Sequence, residues 1–253
     1  MNKPLLELKN VSHYFKPSSL TLKNIHFQIF EGDFIVLTGT NGSGKTVLSK
    51  HLNGLIKPMS GEVFYKNNDI HKVKNRHEIR QKVGLVFQDS SAQFVGLTVL
   101  EEIRFGLLNL CLPHNEIDIR VEKVMHQLGI TELKYKDPFE LSGGQKRRIA
   151  IAGVLVMHPE IIVLDEPFTG LDYPSIQSLI ELLVSLHEAG TTIVVITHEL
   201  EKILSHANRL VVLSDGILVL DGKPSEVCPR LEDFGVRNPS KFTVNVDSLS
   251  WLR

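Results

Sequence analysis

Gly39-Thr40-Asn41-Gly42-Ser43-Gly44-Lys45-Thr46 decides how this chain is to be read, because it follows the apolar run Phe34-Ile35-Val36-Leu37 and precedes a stretch with helical spacing. A buried strand emptying into a glycine-rich turn that opens a helix is the setting in which G-x-x-x-x-G-K-[ST] cradles a polyphosphate. Gly39, Gly42 and Gly44 lack a Cβ and tolerate positive φ, so the main chain can come close to phosphate oxygens and direct donors at them. Lys45 then supplies a point charge near the β and γ phosphates, and the Thr46 hydroxyl suits Mg²⁺. The whole run, Thr40, Asn41 and Ser43 included, is expected to bind nucleotide.

Three later stretches follow in an order that fits this start. Leu141-Ser142-Gly143-Gly144-Gln145 contains a capping box, Ser142-x-x-Gln145, opening a helix that Pro159 closes. Its two glycines expose N–H groups at a positive helix end that favours an anion, yet within one subunit this end has no phosphate of its own to meet. Ile161-Ile162-Val163-Leu164-Asp165-Glu166 is a buried-strand run ending in two carboxylates. Asp165 matches Thr46 as a metal ligand, and Glu166 is placed to orient or deprotonate an attacking water, assistance worth typically ~10²–10⁴-fold. Thr197-His198 closes a further apolar run.

Periodicity around these motifs implies an α/β fold. Leu6-Glu7-Leu8 and Ile25-His26-Phe27-Gln28-Ile29 alternate as half-exposed strands. Thr98-x-x-Glu101 is a capping box, and Val121, Val124, Met125 and Leu128 recur at helical spacing before Gly129, so residues 90–158 are expected to form a helical subdomain inserted in the core. A helix from Pro174 to Ala189 and a strand from Thr192 to Ile196 restore the alternation of a largely parallel sheet, and Asp215-Gly216 marks a hairpin at its end. The tail from Pro229 to Arg253 carries little pattern.

Bulk composition narrows the function classes. A length of 253 residues, 42% hydrophobic content and a formal net charge of -1 suit a well-buried core and give no reason to expect nucleic acid held by bulk charge. The run Lys146-Arg147-Arg148 is accordingly expected on the solvated face of a helix. Cys111 and Cys228 are too few for a disulfide framework or a zinc site and point to a reducing compartment. His198-Glu199 lacks the second histidine of a zinc H-E-x-x-H site. No stretch approaches the ~20 apolar residues that cross a bilayer, and Met1 to His13 lacks the apolar core of a secretory signal, so a membrane role is expected to come through a partner.

Taken together, the motifs resemble those of the ATP-binding-cassette (ABC) ATPases, over roughly Leu5 to Glu226. That resemblance implies a P-loop core with a mainly parallel sheet, an N-terminal antiparallel β subdomain and the inserted helical subdomain, spanning residues 1–228, with 229–253 as a short extension. By the same resemblance, Gln88 touches the metal and senses nucleotide state, and His198 contacts the γ phosphate. Phe15 stacks on adenine, with Tyr14 as the alternative. Ser142, Gly144 and Gln145 close over the ATP of a second subunit, which Asp172 in Thr169-Gly170-Leu171-Asp172 approaches along the interface. Lys45, Gln88, Glu166 and His198 form the implied catalytic set, and Thr46, Gln88 and Asp165 the implied metal set. ATP and Mg²⁺ are the implied ligands, and the implied place is the cytoplasmic face of the cell membrane.

Val83-Gly84-Leu85-Val86-Phe87-Gln88-Asp89, Gln93-Phe94-Val95-Gly96-Leu97-Thr98-Val99 and Leu141 to Leu155 look like the ATPases of energy-coupling factor importers, which take up vitamins or cobalt and nickel ions. Integral membrane subunits and a second ATPase, the same chain or a related one, are then the expected partners. A cytosolic iron-sulfur assembly ATPase of similar length is the rival reading.

Overall fold

A computed structural model describes residues 3–16, 19–72, 76–239 and 249–252. Strands β1 (Leu6–Lys16) and β2 (Ser19–Ile29) pair antiparallel before β3 (Phe34–Thr38) leads into α1 (Lys45–Leu52). Strands β4 (Ser60–Tyr65) and β5 (Asn68–Asp69) complete an antiparallel sheet in the order β2-β1-β4-β5, after which α2 (Arg76–Lys82) feeds β6 (Val83–Val86). Helices α3 (Val99–Asn109), α4 (His114–Gln127) and α5 (Gly143–Leu155) follow without an intervening strand. Then come β7 (Ile161–Asp165), α6 (Tyr173–Glu188), β8 (Thr192–Ile196), β9 (Arg209–Ser214), β10 (Ile217–Gly222) and the short α7 (Pro224–Val227).

The second sheet runs β10-β9-β3-β8-β7-β6 and is parallel except for β10. Its central strands are continuous apolar runs because both faces are covered. Phe34 and Val36 enter one core with Ile162, Leu164, Ile193 and Val195 and the helices α3 to α6, whereas Ile35 and Leu37 enter the other with Ile161, Val163, Val194 and Ile196, under β1, β2 and α1. This two-sided burial fixes the strands and aligns their carboxyl ends, where α/β sheets present their sites. Gln88, the phosphate loop, Asp165-Glu166 and His198 all lie just beyond such ends.

Local sequence signals meet with mixed success. Asp215 and Gly216 turn the β9–β10 hairpin with φ of 49° and 78°, the left-handed pair that a two-residue loop favours. The Thr98 hydroxyl caps α3 by accepting from Glu101 N at 3.2 Å, but the expected return bond goes elsewhere: the Glu101 carboxylate accepts from Leu97 N at 3.0 Å. Helix α5 ends at Leu155, short of Pro159, because its last turn tightens into Met157 N–Val154 O and His158 N–Leu155 O bonds and His158 turns left-handed at φ 55°. Of the tail, residues 240–248 and 253 lie outside the described residues. Leu249 is buried in the main core, and the Trp251 ring lies 5.3 Å from Tyr173 and 4.6 Å from the Lys202 ammonium.

Candidate nucleotide site

Packing dictates the glycines at the two ends of the phosphate loop. At Gly39, φ is 152° and a Cβ would stand 2.0 Å from the Leu213 carbonyl oxygen of β9; at Gly44, φ is 106° and a Cβ would stand 2.7 Å from Thr21 O of β2. No other residue fits either place, so the loop is pressed between two strands with its main chain toward a cleft of about 410 Å³. Asn41, Gly42, Gly44, Lys45 and Thr46 line that cleft from one side, and Gln88, Asp165, Glu166 and His198 from the other. Ser43 is buried instead, its N–H bonded to Thr40 O at 3.2 Å and its hydroxyl turned inward. Thr21 and Thr169 also line the cleft; no motif in the sequence announces Thr21, and Thr169 appears there only as the start of Thr169-Gly170-Leu171-Asp172, with no role in this cleft.

Lys45 is 8% exposed, and its ammonium donates to Gly39 O at 2.8 Å and Thr40 O at 3.0 Å. Burial pushes its pKa down, against the upward pull of Glu166 and Asp165. Asp165 is 2% exposed; burial raises its pKa, the Thr46 hydroxyl and Lys45 lower it, and Glu166 raises it further. Its Oδ1 has no hydrogen-bond partner. A buried carboxylate oxygen left without a donor is costly unless a cation completes it. With the Thr46 hydroxyl and the Gln88 carboxamide in the same cleft, the donor set is all oxygen, which fits Mg²⁺.

Glu166 adopts φ 46°, a left-handed conformation that costs a non-glycine residue about 1–3 kcal/mol and persists where the surroundings enforce it. Here its N–H donates to Ile196 O of β8 at 2.8 Å. Its carboxylate oxygens lie 3.0 and 3.1 Å from Nδ1 of His198, so the two side chains beyond β7 and β8 meet at the cleft. This arrangement, a glycine-lined anion cradle, a buried lysine, an unsatisfied aspartate and an adjoining Glu–His pair, is that of a nucleoside-triphosphatase.

The remaining expected residues lie elsewhere on this single chain. Phe15 is 69% exposed, edge-on to His13 at 4.9 Å, and Tyr14 is half-buried. Ser142 and Gln145 form the full capping box of α5: Ser142 Oγ accepts from Gln145 N at 3.4 Å and Gln145 Oε1 accepts from Ser142 N at 3.1 Å. Asp172 is the N-cap of α6, accepting from Ser175 N at 3.1 Å, and these Ser175 bonds lower its pKa.

A further expectation is overturned. Arg147 does not lie on a solvated helix face; it is 4% exposed, and its guanidinium donates to Phe87 O at 2.6 Å and Gln88 O at 2.8 Å. Its basic neighbours Lys146 and Arg148 are half-buried. The charge run hid this because burial at Arg147 depends on a loop about sixty residues away in sequence arriving over α5.

The ABC transporter family matches residues 22–169. The chain is 42% identical over 233 residues to the energy-coupling factor transporter ATP-binding protein EcfA of Methanosarcina acetivorans, covering 92% of this chain and 84% of that one. It is 39% identical over 229 residues to the protein of the same name from Methanocaldococcus jannaschii, covering 90% and 82%. A solved structure of cbiO1 from Clostridium perfringens, described as part of the ABC transporter complex cbiONQ, superposes with a TM-score of 0.81 at 33% identity over 98% of this chain and 99% of that one. An ABC cassette solved as a dimer in a post-hydrolysis state with ADP and Pi matches with a TM-score of 0.78 at 30% identity, over 86% and 98%. The chain belongs to the ATP-binding subunits of ABC transporters and is an ATPase. Its relatives group it with the energy-coupling factor type.

Proposed function

We propose that the chain is the Mg²⁺-dependent ATP-hydrolysing motor of an energy-coupling factor importer, acting as a head-to-tail pair on the cytoplasmic face of the cell membrane. The observation that carries the chemistry is the contact of Glu166 with His198 beside the orphaned Asp165 oxygen. Glu166 accepts a proton from water as the water oxygen bonds to the γ phosphorus and the bond to ADP breaks. His198 holds the carboxylate in place, and Lys45 with the loop N–H groups offsets charge on the phosphates. Thr46, Asp165 and Gln88 would hold Mg²⁺, which would supply neutralisation of charge on the phosphates.

Residues 1–228 serve as the cassette in this reading, 90–158 as its helical subdomain and 229–253 as an extension. Ser142, Gly144 and Gln145 face the second copy's ATP, Asp172 approaches the same interface, and Phe15 receives adenine. Gln88 and the buried Phe94 carry nucleotide state to integral membrane subunits; among the described residues no helix is long and apolar enough to cross a membrane. A vitamin or a cobalt or nickel ion is the proposed cargo, drawn from likeness to the energy-coupling factor proteins.

Glu166→Gln tests the chemistry: turnover should fall at least ~10²-fold with ATP binding retained. Near wild-type turnover would remove Glu166 from its role. Affinity purification from native membranes tests the setting, since recovery of iron-sulfur assembly proteins in place of integral membrane subunits would favour the rival reading.

A further inference from the structure

Arg147 is buried within α5 without a carboxylate to hold it. Its guanidinium donates through Nη1 to Phe87 O at 2.6 Å and through Nη2 to Gln88 O at 2.8 Å, and Nη2 also reaches Glu166 O at 3.5 Å, a long contact. Nε has no hydrogen-bond partner. Asp165 and Asp89 act on it only through their charge, and burial pushes its pKa down, although a guanidinium stays protonated in a protein. An arginine kept in such a place is expensive to bury, and an apolar side chain would fill the same volume at less cost.

The atoms it holds are informative. Phe87 N donates to Gln93 Oε1 at 3.1 Å while Phe87 O and Gln88 O both accept from Arg147, so the peptides on either side of the Gln88 α-carbon are gripped. Glu166 N is fixed by Ile196 O, and its carbonyl faces Arg147. The same residue is left-handed at φ 46° and brings its carboxylate to 3.0 Å from His198 Nδ1, so Arg147 meets the main chain of the residue that carries this contact. Four residues upstream of Arg147, at Gly143, α5 begins, with Ser142 and Gln145 as its capping box.

We propose that Arg147 is a positioning residue: one guanidinium sets Gln88 and Glu166 through their main-chain carbonyls and makes both placements depend on how α5 sits. The inference rests on the roles given above to Gln88 and Glu166. A helix whose first turn meets the ATP of a second copy then reports that contact to the hydrolytic groups of its own site.

Arg147→Met keeps length and apolar bulk and removes every donor. Its kcat should fall ~10–100-fold, the scale of a misplacement of about 1 Å. The Kd for ATP, measured on the isolated chain, should stay within about two-fold because the phosphate loop and Lys45 are untouched. Thermal midpoint should hold or rise. Combined with Gln88→Ala, the loss should be smaller than the sum of the single losses, as for residues acting through one contact. Arg147→Lys should recover part of kcat, since an ammonium can serve one carbonyl but lacks the planar fork for two; it also carries the test should Arg147→Met not fold. Unchanged kcat, or kcat and ATP affinity falling together with the thermal midpoint, would overturn the proposal. So would strict additivity with Gln88→Ala. Wild-type turnover by Glu166→Gln in the same assays would instead strike the premise, and is read separately.

Discussion

At the end of β3 the chain encloses its candidate phosphate site, whereas at the start of α5 it leaves the proposed one open. The loop Gly39–Thr46 is pressed against β2 and β9, and its lysine is already hydrogen-bonded. Ser142 and Gly143 are exposed, their helix end is satisfied only by its own capping box, and none of these residues lines the cleft. Both places carry glycines and a helix N-terminus, but folding demands the first set and leaves the second unexplained. The difference teaches that a motif's residue types do not reveal whether the fold or a partner requires them; the space around each residue does.

The largest expected effect breaks the enclosed site alone. In Gly39→Ala the new Cβ overlaps a main-chain oxygen of β9 at 2.0 Å, so the loop must move off that strand. Overpacking costs about 1–3 kcal/mol, and the enforced φ adds about 1–3 kcal/mol. Re-forming the loop around ATP should therefore weaken binding by roughly 10³-fold, from about 4 kcal/mol. Ser142→Arg, at the open site, should bind ATP within about two-fold of wild type in titration calorimetry. In a Glu166→Gln background it should nonetheless lose the ATP-dependent dimer in sedimentation. Equal loss of monomer ATP binding in both variants would erase the contrast.

The enclosed half also carries a pH liability. His51 of α1 is fully buried 4.9 Å from His13, and burial together with the charges of His13 and His71 lowers its pKa from 6.5 to about 4. Between those values the unfolded chain takes up a proton that the folded chain refuses, so stability is whole above pH 6.5 and falls as pH drops toward about 4. The loss is on the order of 3 kcal/mol. Denaturant melts at pH 7 and pH 4.5 should diverge for the wild type, and the divergence should shrink in His51→Leu. An unchanged divergence would assign the acid sensitivity to other groups.

Much of the enclosed half is legible in the sequence because its constraints are local: an apolar run long enough for a strand, glycines where the chain must turn, a carboxylate where a strand stops. The open half is legible as a capping box and as an anion-favouring helix end with no phosphate of its own to meet, because its proposed partner is another chain. Arg147 escapes sequence reading for a third reason. A basic triplet on a helix suggests solvent, and only the tertiary approach of Phe87 and Gln88 turns the middle residue inward. The Trp251 contact is likewise long-range, joining the tail to Lys202 and to Gln177 of α6 through a bond from Gln177 Nε2 to Trp251 O at 3.1 Å.

That contact yields an intermediate effect between the two regions. Lys202 Nζ sits 4.6 Å from the Trp251 ring and 5.7 Å from that of Phe168, and the Trp251 ring also meets Tyr173 at the start of α6. Trp251→Ala removes a half-buried ring and one cation–π contact, for a cost of about 1–2 kcal/mol. In a chain this size that corresponds to a thermal midpoint lower by roughly 2–8 °C, to be read by calorimetry. An unshifted midpoint would mean that the tail contributes nothing to the fold.

The smallest expected effect is the most direct test of the open site. A Cβ at Gly143 would lie 3.5 Å from Gly170 O and 3.9 Å from Leu171, which is ordinary contact, and its φ is not among the left-handed ones. Alanine is a better helix former than glycine by up to about 1 kcal/mol in a helix interior and less at the first turn. Gly143→Ala should therefore change stability by only a few tenths of a kcal/mol, moving the thermal midpoint by about 1 °C in either direction. Gly144→Ala is slightly worse, with its Cβ 2.6 Å from Ser175 Oγ, but that hydroxyl ends a side chain that can rotate away. Nothing in the single chain then accounts for glycine at position 143. If its place is kept clear for the phosphate of a second copy, Gly143→Ala in the Glu166→Gln background should weaken the ATP-dependent dimer while the monomer keeps its stability and its ATP affinity. A dimer of undiminished strength would mean that this helix end does not receive the second copy's nucleotide, and the contrast between an enclosed and an open phosphate site would fail.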